Sequence, residues 1–148
     1  MRKVTIFGIL GFITLAILLV LSKFFPSDVQ YKTVRISSVT IRAEVADTEL
    51  KRNIGLMARQ NLPSNEGMLF IFGNEGYPGI WMMNMSFPID IVWIGKDYKI
   101  TSIVEGAVPC ENTCPVHYPQ NKSMYVLEVT SGFVAKNKIK VGDNVRIS

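Results

Sequence analysis

The segment from Trp81 to Ile94 limits the possible folds more than any other part of the chain. It contains both tryptophans and three of the seven methionines. From Phe87 onward its residues fit a strand, in which alternate side chains point to opposite faces, and both faces are largely apolar. This pattern predicts a central strand that is covered on both sides. Asp90 lies within it, and a buried carboxyl needs either hydrogen-bond partners or a position at the strand's end.

The N-terminal part of the chain has a different character. At 148 residues there is room for one modest domain and an anchor. Residues 4–21 contain no charge and would span roughly 27 Å as a helix. A cleaved signal peptide is the alternative, but the apolar run is long for one and no A-x-A-like cleavage site follows. We therefore predict an anchor over residues 1–23, a linker over residues 24–30 and a domain over residues 31–148.

The basic residues around the apolar run set the expected orientation. Arg2, Lys3 and the terminal amine outweigh Lys23, which predicts a single-pass protein with its N-terminus in the cytoplasm. The domain would then lie on the extracytoplasmic side of the cytoplasmic membrane. Without these three side chains the sequence has 13 basic and 12 acidic residues. Such a balance, with no basic stripe, predicts no nucleic-acid partner.

The domain itself is predicted to be β-rich. Alternation over residues 31–45 indicates either one bent strand or a hairpin. Asp47 then fits the N-cap of a helix. The apolar stripe of that helix comprises Leu50, Ile54, Met57 and Ala58. Further strands are predicted over Met68–Phe72, Ser123–Thr130 and Asn144–Ile147. The expected fold class is α+β: mostly antiparallel β, a small barrel or curved sheet with one main helix, behind an N-terminal transmembrane helix.

Several short motifs follow one another in order along this domain. They are Glu44 to Thr48, Arg52 to Arg59, Leu62-Pro63, Glu66 to Phe70, Trp81 to Asn84, Pro88 to Asp90, Pro109-Cys110, Cys114-Pro115, Val126 to Glu128 and Lys140 to Asp143. In these motifs the chain resembles the bacterial and archaeal family filed as domain of unknown function 192. The resemblance implies a small β-rich domain, often behind a signal or anchor, and brings no agreed activity with it.

Cys110, Cys114 and His117 form the strongest local cluster of reactive side chains. Outside the cytoplasm, two cysteines four residues apart in a Pro-bounded loop most simply form a disulfide, and this is the favoured interpretation. The alternative is a metal site, in which two thiolates and an imidazole would favour copper, with zinc second. A thioether could complete that site, and the candidates are Met82, Met83, Met85 and Met124.

A second group of polar residues lies within the structured segments. They are Arg59, Glu66, Trp81, Asn84 and Asp90. The structural interpretation is an ion pair of Arg59 with Asp90 or Glu66 that fixes the helix to the sheet. The functional one is a small pocket in which Arg59 and Asn84 bind an anionic or amide group beside Trp81.

Three functions are compatible with these residues. The favoured one is an envelope binding or accessory module without a cofactor, which contacts the membrane through residues 4–21 and binds an unknown envelope protein or small ligand. The first alternative is copper handling through the loop of Cys110, Cys114 and His117. The second is a small hydrolase-like enzyme that uses Asp90 and Arg59. The sequence has no G-x-S-x-G or H-E-x-x-H motif, which makes the enzyme the weakest of the three.

Overall fold

The structure is a computed structural model that describes residues 29–57 and 59–148. The predicted anchor, residues 1–23, and most of the predicted linker lie outside the described residues. Within those residues, no helix combines the length and the apolar character that a membrane crossing requires.

The described residues contain nine strands and two short helices. The strands are β1 (Tyr31–Ile36), β2 (Val39–Ala46), β3 (Glu66–Gly76), β4 (Ile80–Trp81), β5 (Ile89–Ile94), β6 (Ile100–Ala107), β7 (Val116–His117), β8 (Ser123–Thr130) and β9 (Val145–Ile147). The helices are α1 (Glu49–Ile54) and α2 (Phe133–Asn137).

Seven of the strands form one sheet in the order β6-β5-β8-β3-β2-β1-β9, and β4 pairs with β7 apart from it. All neighbours in the large sheet are antiparallel except β2 and β3. The sheet curls until its two edges meet at one end. There the amide of Ile100 donates to the carbonyl of Asp143 (3.0 Å). The amide of Val145 donates to the carbonyl of Tyr98 (2.7 Å). The predicted β-rich, mostly antiparallel curved sheet is confirmed.

The first two strands settle an alternative that the sequence left open. β1 and β2 pair in a continuous antiparallel register from Tyr31–Glu44 to Ile36–Val39. The two-residue turn between them places Ser37 at φ 52°, a left-handed conformation that reverses the chain sharply. The two runs therefore form a hairpin and not one bent strand.

The predicted main helix is wrong in its length and in the face that it buries. The N-cap is Thr48, whose hydroxyl accepts from the amide of Lys51, and the helix ends after six residues at Gly55. Leu50 is 70% exposed and Ile54 51% exposed, whereas Leu56, which follows the helix, is buried. Gly55 adopts φ 51° and redirects the chain, so an apolar stripe of helical spacing never forms over the core.

The predicted central strand is confirmed as β5. All six of its residues are buried, and it pairs with β6 on one side and β8 on the other. The carboxyl of Asp90 accepts one hydrogen bond from the amide of Gly106 and one from the amide of Val134, both at 2.9 Å. Val134 belongs to the first turn of α2, whose N-cap Gly132 has no side chain to offer. Asp90 therefore caps α2 from the sheet and ties three elements together.

Side chains that alternate along the central strands fill two apolar cores, one on each face of the sheet. Val92 and Ile94 contribute to the core that contains α2, and Ile89, Ile91 and Trp93 to the other. The second core also receives Leu56, Leu62, Met68, Phe70, Ile80, Met82 and Val126. It lies beneath α1, β4 and the loops around them.

Replacement of Asp90 by asparagine should destabilise the fold. The amide NH₂ would face a backbone N–H that now donates to a carboxylate oxygen, leaving a buried donor without an acceptor. We expect the free energy of unfolding, measured by urea denaturation, to fall by about 2–4 kcal/mol. Asp97→Asn is the matched control, because Asp97 accepts one backbone N–H in an exposed turn. Equal, small losses in both variants would contradict the structural role of Asp90.

Candidate functional site

Glu128 is the one residue of β8 whose chemistry conflicts with its surroundings. It lies in register with Met68 on β3 and Ile91 on β5, and only 4% of its surface is exposed. Burial raises the pKa of Glu128 to about 8, and the positive charge of Arg59 opposes this rise. At neutral pH the carboxyl is therefore mostly protonated. None of the ion pairs in the described part of the chain includes it.

Glu128 lines a pocket of about 240 Å³ that opens beside α1. The polar lining side chains are this carboxyl, Arg52 and Asn53, and the other side chains of the lining are apolar or aromatic. The apolar and aromatic lining residues are Ile54, Leu56, Met57, Phe70, Phe72, Ile80, Trp81, Met83, Met85 and Val116. A concave apolar site with very few polar groups is the usual form of a small-ligand site. Its volume suits a ligand of about the size of one amino-acid side chain.

One wall of the pocket depends on the end of α1. Gly55 lies against Phe70, and a Cβ at this position would be 3.4 Å from the ring's Cζ atom. The positive φ at Gly55 turns the chain so that Leu56 enters the core and Met57 lines the cavity. The sequence Ile54-Gly55-Leu56-Met57 thus forms part of a pocket wall instead of the third turn of a helix.

The opposite wall depends on the disulfide loop. The sulfurs of Cys110 and Cys114 are bonded, which confirms the predicted disulfide. The amide of Cys110 donates to the carbonyl of Met82 (3.1 Å), and the amide of Asn84 donates to the carbonyl of Cys110 (3.3 Å). Met83 lies between these two hydrogen bonds and lines the pocket. The loop therefore fixes the segment that carries a pocket wall.

Strand β7, which follows the disulfide, supports the same wall. Val116 pairs with Trp81, and His117 pairs with Ile80. Gly79 packs so closely here that a Cβ would lie 2.6 Å from Cγ1 of Val116. Trp81 remains 45% exposed at the edge of the pocket. The short β4–β7 ribbon thus presents an aromatic side chain to solvent and to the cavity together.

Two arginines near the pocket already have partners. Nη1 of Arg52 donates to the carbonyls of Asp47 (2.8 Å) and Ile71 (3.0 Å), and its guanidinium lies 5.1 Å from the ring centroid of Phe72. Arg59 forms an ion pair with Glu44 at 2.6 Å. Neither guanidinium forms an ion pair with Glu128 among the described residues.

The structure does not gather the five predicted site residues in one place. Trp81 lines the pocket, whereas Asp90 is occupied by two backbone amides on the far side of β5. The predicted ion pair of Arg59 with Asp90 or Glu66 is wrong. Arg59 pairs with Glu44, and Glu66 pairs with Arg42 at 3.4 Å.

Asn84 has a role in the backbone. It adopts φ 55°, a conformation that asparagine tolerates better than most residues, and its amide bonds the disulfide loop. It does not line the cavity.

The predicted copper ligands are placed as follows. Cys110 and Cys114 share a disulfide, so they offer no thiolate in this state. Across residues 29–57 and 59–148, no three His, Cys, Asp or Glu side chains form a group that could hold a metal ion. Copper binding by the reduced loop, with His117, stays a prediction.

Comparisons with known proteins define the relatives of this chain. The family model described as "Uncharacterized ACR", DUF192, matches residues 32–147. A crystal structure of a candidate transcription regulator from Sinorhizobium meliloti is 29% identical, with a TM-score of 0.75 over 83% of this chain and 98% of that one. A protein of unknown function from Novosphingobium aromaticivorans is 31% identical, with a TM-score of 0.71 over 82% of this chain and 89% of that one. No curated protein matches the chain.

The raised pKa of Glu128 predicts a specific dependence of stability on pH. The folded state keeps the proton up to about pH 8, whereas the unfolded chain releases it near the ordinary value of 4.5. The contribution of this group to the free energy of unfolding is therefore largest below pH 4.5. It decreases as the pH rises and stops changing above about pH 8. The expected loss is roughly 3–5 kcal/mol.

Urea denaturation of the wild type and of Glu128→Gln, across pH 5–9, measures this contribution. In Glu128→Gln, the free energy of unfolding should fall much less with rising pH than in the wild type. In Glu105→Gln, at an exposed position of β6, it should fall as in the wild type. Identical pH profiles for the wild type and Glu128→Gln would show that Glu128 releases its proton at an ordinary pH.

Proposed function

The chain belongs to the DUF192 family, and from that premise we propose that it is an extracytoplasmic binding module whose ligand site is the Glu128 pocket. The observation that carries the proposal is a buried carboxyl facing a small cavity of aromatic and methionine side chains. Burying a carboxyl in such a position costs stability, and buried acids that face a cleft are frequent at functional sites. The ligand is a small molecule, or a side chain of an envelope protein, that inserts an apolar group between Phe70, Phe72 and Trp81.

The location rests on the sequence. The uncharged run of residues 4–21, with Arg2 and Lys3 before it, supports an anchor in the cytoplasmic membrane with the domain outside the cell's reducing interior. The disulfide between Cys110 and Cys114 supports the same compartment, because disulfides persist in oxidising surroundings. A membrane-anchored envelope protein is thus the setting that we propose for the pocket.

Binding suits the geometry better than catalysis by Asp90 and Arg59. Both oxygens of Asp90 accept backbone hydrogen bonds in a fully buried position, and Arg59 is paired with Glu44. A hydrolase needs a carboxyl that reaches both substrate and water. Among the described residues, Glu128 supplies the one carboxyl that lines this pocket. A second acid, which general acid–base catalysis by a carboxyl pair would need, does not line it in this part of the chain.

The pocket can be tested directly with methionine methyl NMR on the full-length protein. A library of small apolar and amphiphilic compounds should shift the methyl signals of Met57, Met83 and Met85 while leaving that of Met124 in place. Trp81→Ala should weaken binding of each hit about tenfold or more, because it removes an aromatic wall. Tyr98→Ala is the matched control, since Tyr98 is equally exposed (43%) but stacks on Tyr125 instead. Hits that shift Met124 alone, or that both variants weaken equally, would exclude this pocket.

Intact mass spectrometry tests the location and the copper alternative together. The full-length protein, taken from the membrane fraction of the cells that produce it, should retain residues 1–23 and be two hydrogens lighter than its reduced form. Reduction should restore those hydrogens without loss of a metal. A shorter chain would mean a cleaved leader. A fully reduced chain that carries copper would replace the binding module by the copper-handling function.

A further inference from the structure

The chemistry of the pocket narrows the class of ligand that it can take. We propose that the Glu128 pocket binds the protonated amino group of a small ligand with an apolar body, and that this group forms an ion pair with the carboxylate of Glu128. This inference rests on the proposed function and adds to it the charge of the ligand.

The carboxyl of Glu128 is buried, lines the pocket and forms no ion pair with the described residues. It lies in the middle of the sheet, between Met68 and Ile91, so water cannot solvate its ionised form well. Arg59, whose positive charge acts on this carboxyl, forms its ion pair with Glu44 at 2.6 Å. A buried carboxylate is stable only with an opposite charge close by. A ligand ammonium at the floor of the pocket supplies that charge.

The walls favour the same ligand. The rings of Phe70, Phe72 and Trp81 line the cavity, and aromatic faces attract a desolvated cation. Met57, Met83 and Met85 add polarizable thioethers that adapt to an apolar body. Two backbone carbonyls and the ring of Phe72 hold the guanidinium of Arg52 in place. Its positive charge opposes a ligand cation, so the preference for an ammonium depends on the carboxylate of Glu128 and the aromatic rings.

The protons in this step balance simply. With no ligand at neutral pH, Glu128 carries a proton, since burial raises its pKa to about 8. The ligand arrives as R–NH₃⁺, the carboxyl releases its proton to solvent, and an ion pair replaces the O–H group. Binding at pH 7 should therefore release close to one proton per ligand. A neutral ligand would release none.

Three probes of nearly equal shape test the charge: 2-phenylethylammonium, 2-phenylethanol and phenylacetate. Methionine methyl NMR on the full-length protein gives their affinities, and calorimetry at pH 7 in phosphate and in Tris counts the released protons. The ammonium should bind at least tenfold more tightly than the alcohol and the acid. Its affinity should rise on the order of 20-fold from pH 6.5 to pH 8.5, because the carboxylate form becomes populated.

Three variants separate Glu128 from other titrating groups. Glu128→Gln should remove the ammonium preference, the pH dependence and the proton release, while still binding the alcohol. Glu66→Gln should keep all three, because Glu66 pairs with Arg42 at the surface. His117→Gln should keep them too, although His117 follows the lining residue Val116.

The outcomes distinguish this inference from the proposed function. Equal binding of ammonium and alcohol without proton release would overturn the cationic ligand and leave a binding pocket for apolar groups. Tightest binding of phenylacetate would overturn it in favour of an anion held by Arg52. A pocket that takes none of the three probes, yet shifts its methionine signals with other library compounds, would also reject the cation while the binding function stands.

Discussion

The pairing of β5 and β8 with each other and with their outer neighbours β6 and β3 is the constraint on which the rest of the structure depends. β5 is buried along its whole length and β8 from Val126 to Val129, so polar groups at these positions must find a partner inside the protein. The backbone satisfies itself through the sheet. Side chains cannot use the hydrogen bonds of the sheet. An acid at these positions therefore needs a specific hydrogen-bond donor, protonation or a ligand.

The acids of β5 and β8, Asp90 and Glu128, meet that requirement in opposite ways. The carboxyl of Asp90 accepts hydrogen bonds from two backbone N–H groups, one in β6 and one in α2. Its role is therefore to hold these elements against β5. Glu128 faces the other core and a cavity, and burial raises its pKa to about 8. A satisfied carboxyl is explained by the fold that it holds. An acid kept protonated beside a cavity is the kind of group that ligand sites contain, and the proposed function rests on it.

The pocket is assembled from segments that are far apart along the chain. α1 and Gly55 form one wall, the Met82–Met85 segment and the β4–β7 ribbon form another, and β8 supplies the carboxyl. The disulfide joins these parts indirectly, because Cys110 bonds the backbone of Met82 and Asn84. A loop with little core of its own is thus stabilised by a covalent bond where it supports the pocket wall.

Alternation in the sequence indicated the strand runs of β1 and β2, without deciding between a hairpin and one bent strand, and the buried strand β5 with the need of Asp90 for partners. Loop chemistry indicated the disulfide pair. These are consequences of neighbours in the chain, where side-chain period and loop chemistry act over a few residues. The same local rules overestimated α1, because Gly55 can serve as a helix residue or as a helix end, and only packing against Phe70 decides between them.

The tertiary structure alone decided which residues line the pocket. In the sequence, Glu128 is visible as an acid within the apolar run of β8. Its neighbours in the chain do not show whether it is hydrogen-bonded, as Asp90 is, or faces a cavity. Which carboxyl meets amides and which meets a cavity depends on strand order and on which core each face joins. The partner of Arg59 was decided in the same way, since β2 and not β5 brings a carboxylate to it. The sequence determines the chemistry of each side chain. The contacts between strands that are distant in the chain determine its partners.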